Sequence, residues 1–108
     1  MKYKVETLPN FEREAKPLLK KYPSLKEEME KLLALLENKP DIGVSIGKNC
    51  YKIRLAIGSK GKGKSGGARI ITHVAINKDT VFLCSIYDKS EQTNISTEQL
   101  VSWIKSIR

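Results

Sequence analysis

The sequence predicts an α+β fold: a small, largely antiparallel sheet with a helical hairpin on one face and a C-terminal helix, in the order β-α-α-β-β-β-α. Three observations predict it. Apolar residues recur at helical spacing from Phe11 to Leu36 and again after Ser96. From Cys50 to Tyr87 the period changes to two, the repeat of a half-buried strand. With 108 residues, 40% of them hydrophobic and 30% charged, the chain has the composition of one globular domain, residues 1–108, around a single core.

The elements follow in order. Met1, Tyr3, Val5 and Thr7 alternate with Lys2, Lys4, Glu6 and Leu8 as a short strand, which Pro9 ends. Asn10 then caps a helix whose face is Phe11, Ala15, Leu18, Leu19 and Tyr22. Pro17 lies inside it, at a cost of about 3 kcal/mol for an interior proline, so a bend or two shorter pieces are expected. Ser24 and Glu27 have capping-box spacing ahead of the stripe Leu25, Met29, Leu32, Leu33 and Leu36, and Asn38-Lys39-Pro40 stops that second helix. On the next strand Tyr51, Ile53, Leu55 and Ile57 share one side and Lys52 and Arg54 the other. A Gly/Lys loop from Gly58 to Gly67 leads to a strand over Arg69–Ile76, a tight turn at Asn77-Lys78-Asp79, and a strand over Thr80–Tyr87. By simple alternation Val81, Leu83, Ser85 and Tyr87 share a face. Ser96 and Gln99 form a second capping box, and Leu100, Trp103, Ile104 and Ile107 line the helix behind it. Helices covering one face leave the other face of the sheet open.

The net charge of +8 is unevenly placed. Between Ile42 and Lys78 there is no acid, while eight cations lie there: Lys48, Lys52, Arg54, Lys60, Lys62, Lys64, Arg69 and Lys78. The remainder of the chain is neutral. A field of one sign implies an anionic partner, and cations on strands and a Gly-rich loop suit nucleic acid better than a lipid surface. No run approaches the roughly 20 apolar residues of a membrane span. The N-terminal Met-Lys-Tyr-Lys-Val lacks the apolar block of a secretory signal, so a cytoplasmic protein without membrane contact is expected. Cys50 and Cys84 lack CxxC spacing and read as reduced, buried thiols; a metal or redox pair would need further ligands.

Gly58 to Gly63-Lys64-Ser65 matches the P-loop pattern, which requires a helix to follow. The β-branched run after Gly67 is a strand, and nucleotide hydrolysis is rejected. The loop is then either a solvated connection or an arm in which glycines admit the backbone to a polyanion and Lys60, Lys62 and Lys64 neutralise it. If the strands pair as ordered, Arg54, Arg69, Tyr87 and Lys89 converge near one end of the sheet.

The segments Tyr51-Lys52-Ile53-Arg54-Leu55-Ala56, Gly63-Lys64-Ser65-Gly66-Gly67-Ala68-Arg69 and Tyr87-Asp88-Lys89-Ser90-Glu91, with Asn94-Ile95-Ser96, resemble the HigB-type branch of the RelE toxins in the RelE/ParE superfamily. The resemblance runs from Phe11 to the C-terminal helix. It implies a RelE-like fold, a cognate protein antitoxin, and cleavage of messenger RNA in the ribosomal decoding site, with operator DNA bound only through the antitoxin. The implied chemistry uses no metal or other cofactor: the 2′-hydroxyl attacks the neighbouring phosphorus, leaving a 2′,3′-cyclic phosphate and a 5′-hydroxyl. Arg54, Arg69, Tyr87 and Lys89 are the expected catalytic residues, and Lys52, Lys60, Lys62 and Lys64 the RNA-binding ones. Planar guanidinium groups suit phosphate oxygens. Tyr87 either stacks on a base or takes part in proton transfer, and as a base it would need cations to lower a pKa near 10. Some relatives use a His and Glu pair; here His73 reads as a packed mid-strand residue, and Glu91 lies close behind Tyr87. Two other readings are a ParE-like toxin that poisons gyrase without cutting RNA and an RNA-binding module without cleavage.

Overall fold

A computed structural model describes residues 2–58, 66–91 and 94–107. Along the chain lie β1 (Lys4–Thr7), α1 (Pro9–Lys21), α2 (Ser24–Asn38), β2 (Val44–Gly47), β3 (Cys50–Leu55), β4 (Ala68–Ala75), a 3-10 turn (Ile76–Lys78), β5 (Thr80–Asp88) and α3 (Thr97–Lys105). Among these residues five strands form one sheet in the order β1-β5-β4-β3-β2, with β1 parallel to β5 and every other pairing antiparallel. The expected α+β architecture holds, with β2 added at one edge. Lys48 and Asn49, at φ 56° and 57°, make the left-handed two-residue turn that folds β2 back on β3. Four residues ending in glycine carry too little alternation to announce a strand.

Two local expectations change at the helix starts. The strand stops at Thr7, ahead of Pro9 as expected, and Pro9 itself occupies the first turn of α1, where its missing N–H costs nothing, with Leu8 at the N-cap. Asn10 instead donates from Nδ2 to the Cys84 carbonyl at 3.0 Å and to Glu14 Oε1 at 2.9 Å. Pro17 sits within one continuous helix, where burial of Phe11 and Ala15 offsets the interior-proline cost. The Ser24–Glu27 capping box is absent, because Pro23 already has helical backbone angles (φ −57°, ψ −30°) and Ser24 falls inside the helix. The second box forms: Ser96 Oγ accepts from the Gln99 N–H at 3.1 Å, and Gln99 Oε1 accepts from the Ser96 N–H at 3.0 Å.

Both faces of the sheet are packed. Ile53, Leu55, Ile70, Val81, Leu83 and Ile86 meet Phe11, Ala15, Leu25, Leu32 and Leu36 of the helical hairpin. On the reverse face Cys50, Ile71, Phe82, Cys84 and Tyr87 lie under Leu100, with Trp103, Ile104 and Ile107 half-buried beside them. The face expected to be open is therefore partly covered by α3. Burying Leu100 alone stabilises this contact by roughly 1.5–3 kcal/mol.

One irregularity decides the site. Ile71 pairs with Ser85 but Thr72 pairs with Leu83, so Cys84 is an extra residue in β5. A β-bulge of this kind shifts the side-chain parity by one. Val81 and Leu83 before it, and Ile86 after it, all face the hairpin, whereas Tyr87 joins Phe82 and Cys84 on the reverse face. The shared face expected for Val81, Leu83, Ser85 and Tyr87 is thus broken. Past the end of β1, side chains of α1 satisfy the bulged edge: Glu14 Oε1 accepts from Ser85 Oγ at 2.7 Å and from the Ile86 N–H at 3.4 Å.

Candidate nucleic-acid interface

Arg54, Arg69 and Tyr87 form a row across three adjacent strands. Arg54 on β3 is the direct partner of Arg69 on β4, and Arg69 is the direct partner of Tyr87 on β5. Directly opposed residues have Cβ atoms about 5 Å apart, and like charges in that position destabilise a sheet. Strand order brings the two arginines to the same end of the sheet, the register sets them directly opposite each other, and the bulge adds Tyr87.

The three differ in exposure. Arg54 reaches solvent, while Arg69 is 4% and Tyr87 5% exposed. Arg69 donates from Nη1 to the Ala68 carbonyl at 3.1 Å. Burial lowers its proton affinity, the Arg54 charge lowers it further, and the Tyr87 oxygen works the other way. A guanidinium starts so far above neutrality that it stays charged. Tyr87 moves oppositely: burial raises its pKa, and Arg69 pulls it back only in part. It is a neutral phenol, so the condition for its acting as a resident base is not met. Its hydroxyl is buried without a hydrogen-bond partner among the described residues. An orphaned buried hydroxyl beside a buried cation is costly unless something else completes it.

Lys52, half-buried, lies opposite Ile71 on the same side of β3 as Arg54, two residues away. Lys89 is exposed one step past the β4–β5 ladder, its N–H donating to the Gly67 carbonyl at 3.1 Å. These two extend the row. Among the described residues the ion pairs are Lys21–Glu91 at 3.8 Å and Lys31–Glu28 at 3.5 Å, and neither uses Lys52, Arg54 or Lys89. Lys60, Lys62 and Lys64 lie outside the described residues.

Two supports escaped the sequence reading. Asp88, 2% exposed, accepts from the Ser90 N–H at 3.0 Å, from Ser90 Oγ at 2.8 Å and from the Tyr22 hydroxyl at 3.2 Å. It anchors the turn that carries Lys89 to the end of the helical hairpin; the Asp-x-Ser spacing of a side-chain-bonded turn was the available signal. Gly67 packs against the β3 backbone at the mouth of the loop. His73, expected as a packed residue, has Nδ1 3.5 Å from Cys50 Sγ, and burial lowers its pKa. No helix among the described residues is long and apolar enough to cross a membrane.

Known proteins share this fold. Residues 10–107 match a family model described as the RelE toxin of the RelE/RelB toxin–antitoxin system. The fold is similar to a free E. coli RelE mutant with two arginine-to-alanine substitutions, at 22% identity over 100% of both chains and a TM-score of 0.62. It is also similar to that mutant in complex with an antitoxin RelBc peptide (21% identity, 100% of this chain, 97% of the other, TM-score 0.63). The intact E. coli RelBE complex matches at 22% identity over 80% of this chain and 95% of the other, with a TM-score of 0.54.

Proposed function

The chain belongs to the family of RelE toxins of RelE/RelB toxin–antitoxin systems, and from that premise we propose that it is a metal-independent, ribosome-dependent mRNA endonuclease that stops translation in the cytoplasm. The observation that carries this reading is the cross-strand row of Arg54, Arg69 and Tyr87. Two like charges held opposite each other at the expense of stability are suited to a phosphate that turns dianionic as it reacts. Arg69 and Arg54 grip its non-bridging oxygens, and Lys52 and Lys89 add charge along the strand. The 2′-hydroxyl loses its proton and bonds to phosphorus; the bond from phosphorus to the 5′-oxygen breaks, and that oxygen takes a proton. Tyr87, a neutral phenol with a hydroxyl still to be satisfied, serves as a donor or as a surface on which a base stacks. Lys60, Lys62 and Lys64 are proposed to hold flanking phosphates.

The cognate antitoxin, in this reading, lays an acidic or amphipathic segment over the basic face and carries the complex to operator DNA. E. coli RelE is solved bound to RelB, which supports a partner of that kind. The quoted motifs favour the HigB-type branch. A gyrase poison of the ParE kind has no need for a phosphate row on its sheet, which weighs against that alternative.

The test is cleavage of a defined message on purified ribosomes with both ends mapped. Cuts within the decoding-site codon that leave 2′,3′-cyclic phosphates are expected. Gyrase-dependent DNA breaks without RNA cuts would turn the assignment to the ParE kind, and neither activity would leave an RNA-binding module.

A further inference from the structure

At the end of the sheet away from the arginine row, on the same face, lies a cleft of about 440 Å³. His73 supplies one wall from β4. Asn49 comes from the β2–β3 turn, Asn77 and Lys78 from the 3-10 turn, and Ile104 and Ile107 from the C-terminal end of the chain. The Asn49 carbonyl accepts from the Val74 N–H at 2.8 Å, which ties the first of those turns to β4. Arg69 and His73 are four residues apart on one strand, a run of about 13 Å at the strand rise.

We propose that this cleft is a second nucleotide subsite, seating the base of a single-stranded RNA residue near the one whose phosphate lies at Arg54 and Arg69. The inference rests on the RNA reading above. The cleft has the size of a small-ligand site and the groups that unstacked bases use. The flat ring of His73 and the apolar Ile104 and Ile107 line the same cleft, the components of a stacking slot. Asn49 and Asn77 carry amides, each both donor and acceptor, able to read a base edge. Lys78 supplies charge for the attached phosphate. None of the lining residues is an acid. Between the two sites Lys52 and Lys48 continue the cations of Arg54 along β3 and its turn, inside the acid-free stretch.

Four variants at three positions test it. Asn49→Gly removes an amide while keeping the left-handed φ of 57° free of strain. Lys78→Ala acts at an exposed turn. His73→Ala is compared with His73→Phe, which keeps the stacking face. Binding is measured with 2′-O-methyl single-stranded oligoribonucleotides of two and eight residues, and cut positions are mapped on ribosomes. Asn49→Gly and Lys78→Ala are expected to weaken the longer oligomer about tenfold and leave the dinucleotide unchanged. His73→Phe should retain the affinity that His73→Ala loses. A shift in the base preference flanking the cuts assigns the seated nucleotide to the message; weaker ribosome binding with the same cut pattern assigns it to ribosomal RNA. Wild-type affinity at both lengths with an unchanged cut pattern overturns the subsite. Length-dependent binding through the cleft in a chain that never cuts RNA refutes the nuclease assignment and leaves the subsite standing.

Discussion

Gly67 and Leu55 meet where β3 and β4 part around the basic loop: a Cβ added to Gly67 would fall 2.0 Å from the Leu55 carbonyl oxygen and 3.1 Å from the Ile57 nitrogen. Both obstacles are backbone, so neither can swing aside. Gly67→Ala is therefore expected to cost about 2 kcal/mol or more, within the overpacking range, and to displace Arg69 two residues on. A denaturant titration beside a cleavage assay checks it; wild-type behaviour in both would mean the two strands separate freely there.

Arg69→Met replaces a buried cation by an apolar side chain of similar length, relieving its opposition to Arg54. The fold should hold within about 1 kcal/mol or gain stability, since apolar replacements of buried charges are often neutral or better. RNA cleavage and growth arrest should fall at least a hundredfold. Undiminished toxicity in a folded variant would remove Arg69 from the phosphate site.

Tyr87→Phe deletes a buried hydroxyl that has no hydrogen-bond partner among the described residues. Thermal stability should stay level or rise by up to about 1 kcal/mol. Cleavage should fall a hundredfold or more if the phenol donates a proton to the leaving oxygen, the usual size of general acid catalysis. With a pKa raised above the ordinary phenol, that donor stays protonated throughout the neutral range, so no decline in rate near pH 8 should trace to Tyr87.

Seven cations flank the proposed strand path: Lys52, Arg54, Arg69 and Lys89 with the loop residues Lys60, Lys62 and Lys64. If each neutralises one phosphate, the logarithm of the affinity for single-stranded RNA should fall with that of salt at a slope of about −5. Lys52→Ala should flatten the slope by roughly 0.7 while lowering affinity for every sequence alike. Anisotropy titrations between low and moderate salt read both quantities.

Burial raises the Cys50 thiol from 9.0 to about 11 and the Cys84 thiol to about 12. Above the unfolded value the unfolded chain binds fewer protons than the native one, so native stability falls as pH rises. The loss should begin near pH 9 and continue toward pH 11 or 12, with a slope of at most about 1.4 kcal/mol per pH unit for each thiol. Denaturant midpoints at pH 8 and pH 10 measure it, and a Cys50→Ala, Cys84→Ala double variant should flatten the decline.

The helices, the main strands and the gathering of Arg54 and Arg69 at one end of the sheet were readable in the chain, because each depends on spacing within one segment or on antiparallel neighbours in order. Their direct opposition is a matter of register that the fold decides. Ser96 and Gln99 announce α3 through bonds three residues apart. Local rules failed where a neighbour overrode them. Pro23 took the cap that Ser24 was suited for, and Leu8 that of Asn10, whose amide was drawn to the β5 edge. Asp88, Tyr22 and Ser90 meet across 66 residues, which no spacing foretells.

A basic, acid-free middle third and a period-two pattern around Arg54 and Arg69 suffice to mark a cationic sheet face, since charge and parity are properties of neighbours along the chain. Where Tyr87 points is another matter. Cys84 has no partner across the ladder, and that single extra residue turns Tyr87 away from the hairpin and beside Arg69. Cover by α3 over the same face likewise emerges only on folding. A bulge arises from competition between two strands and the α1 side chains at their edge, and such a contest has no counterpart in linear order.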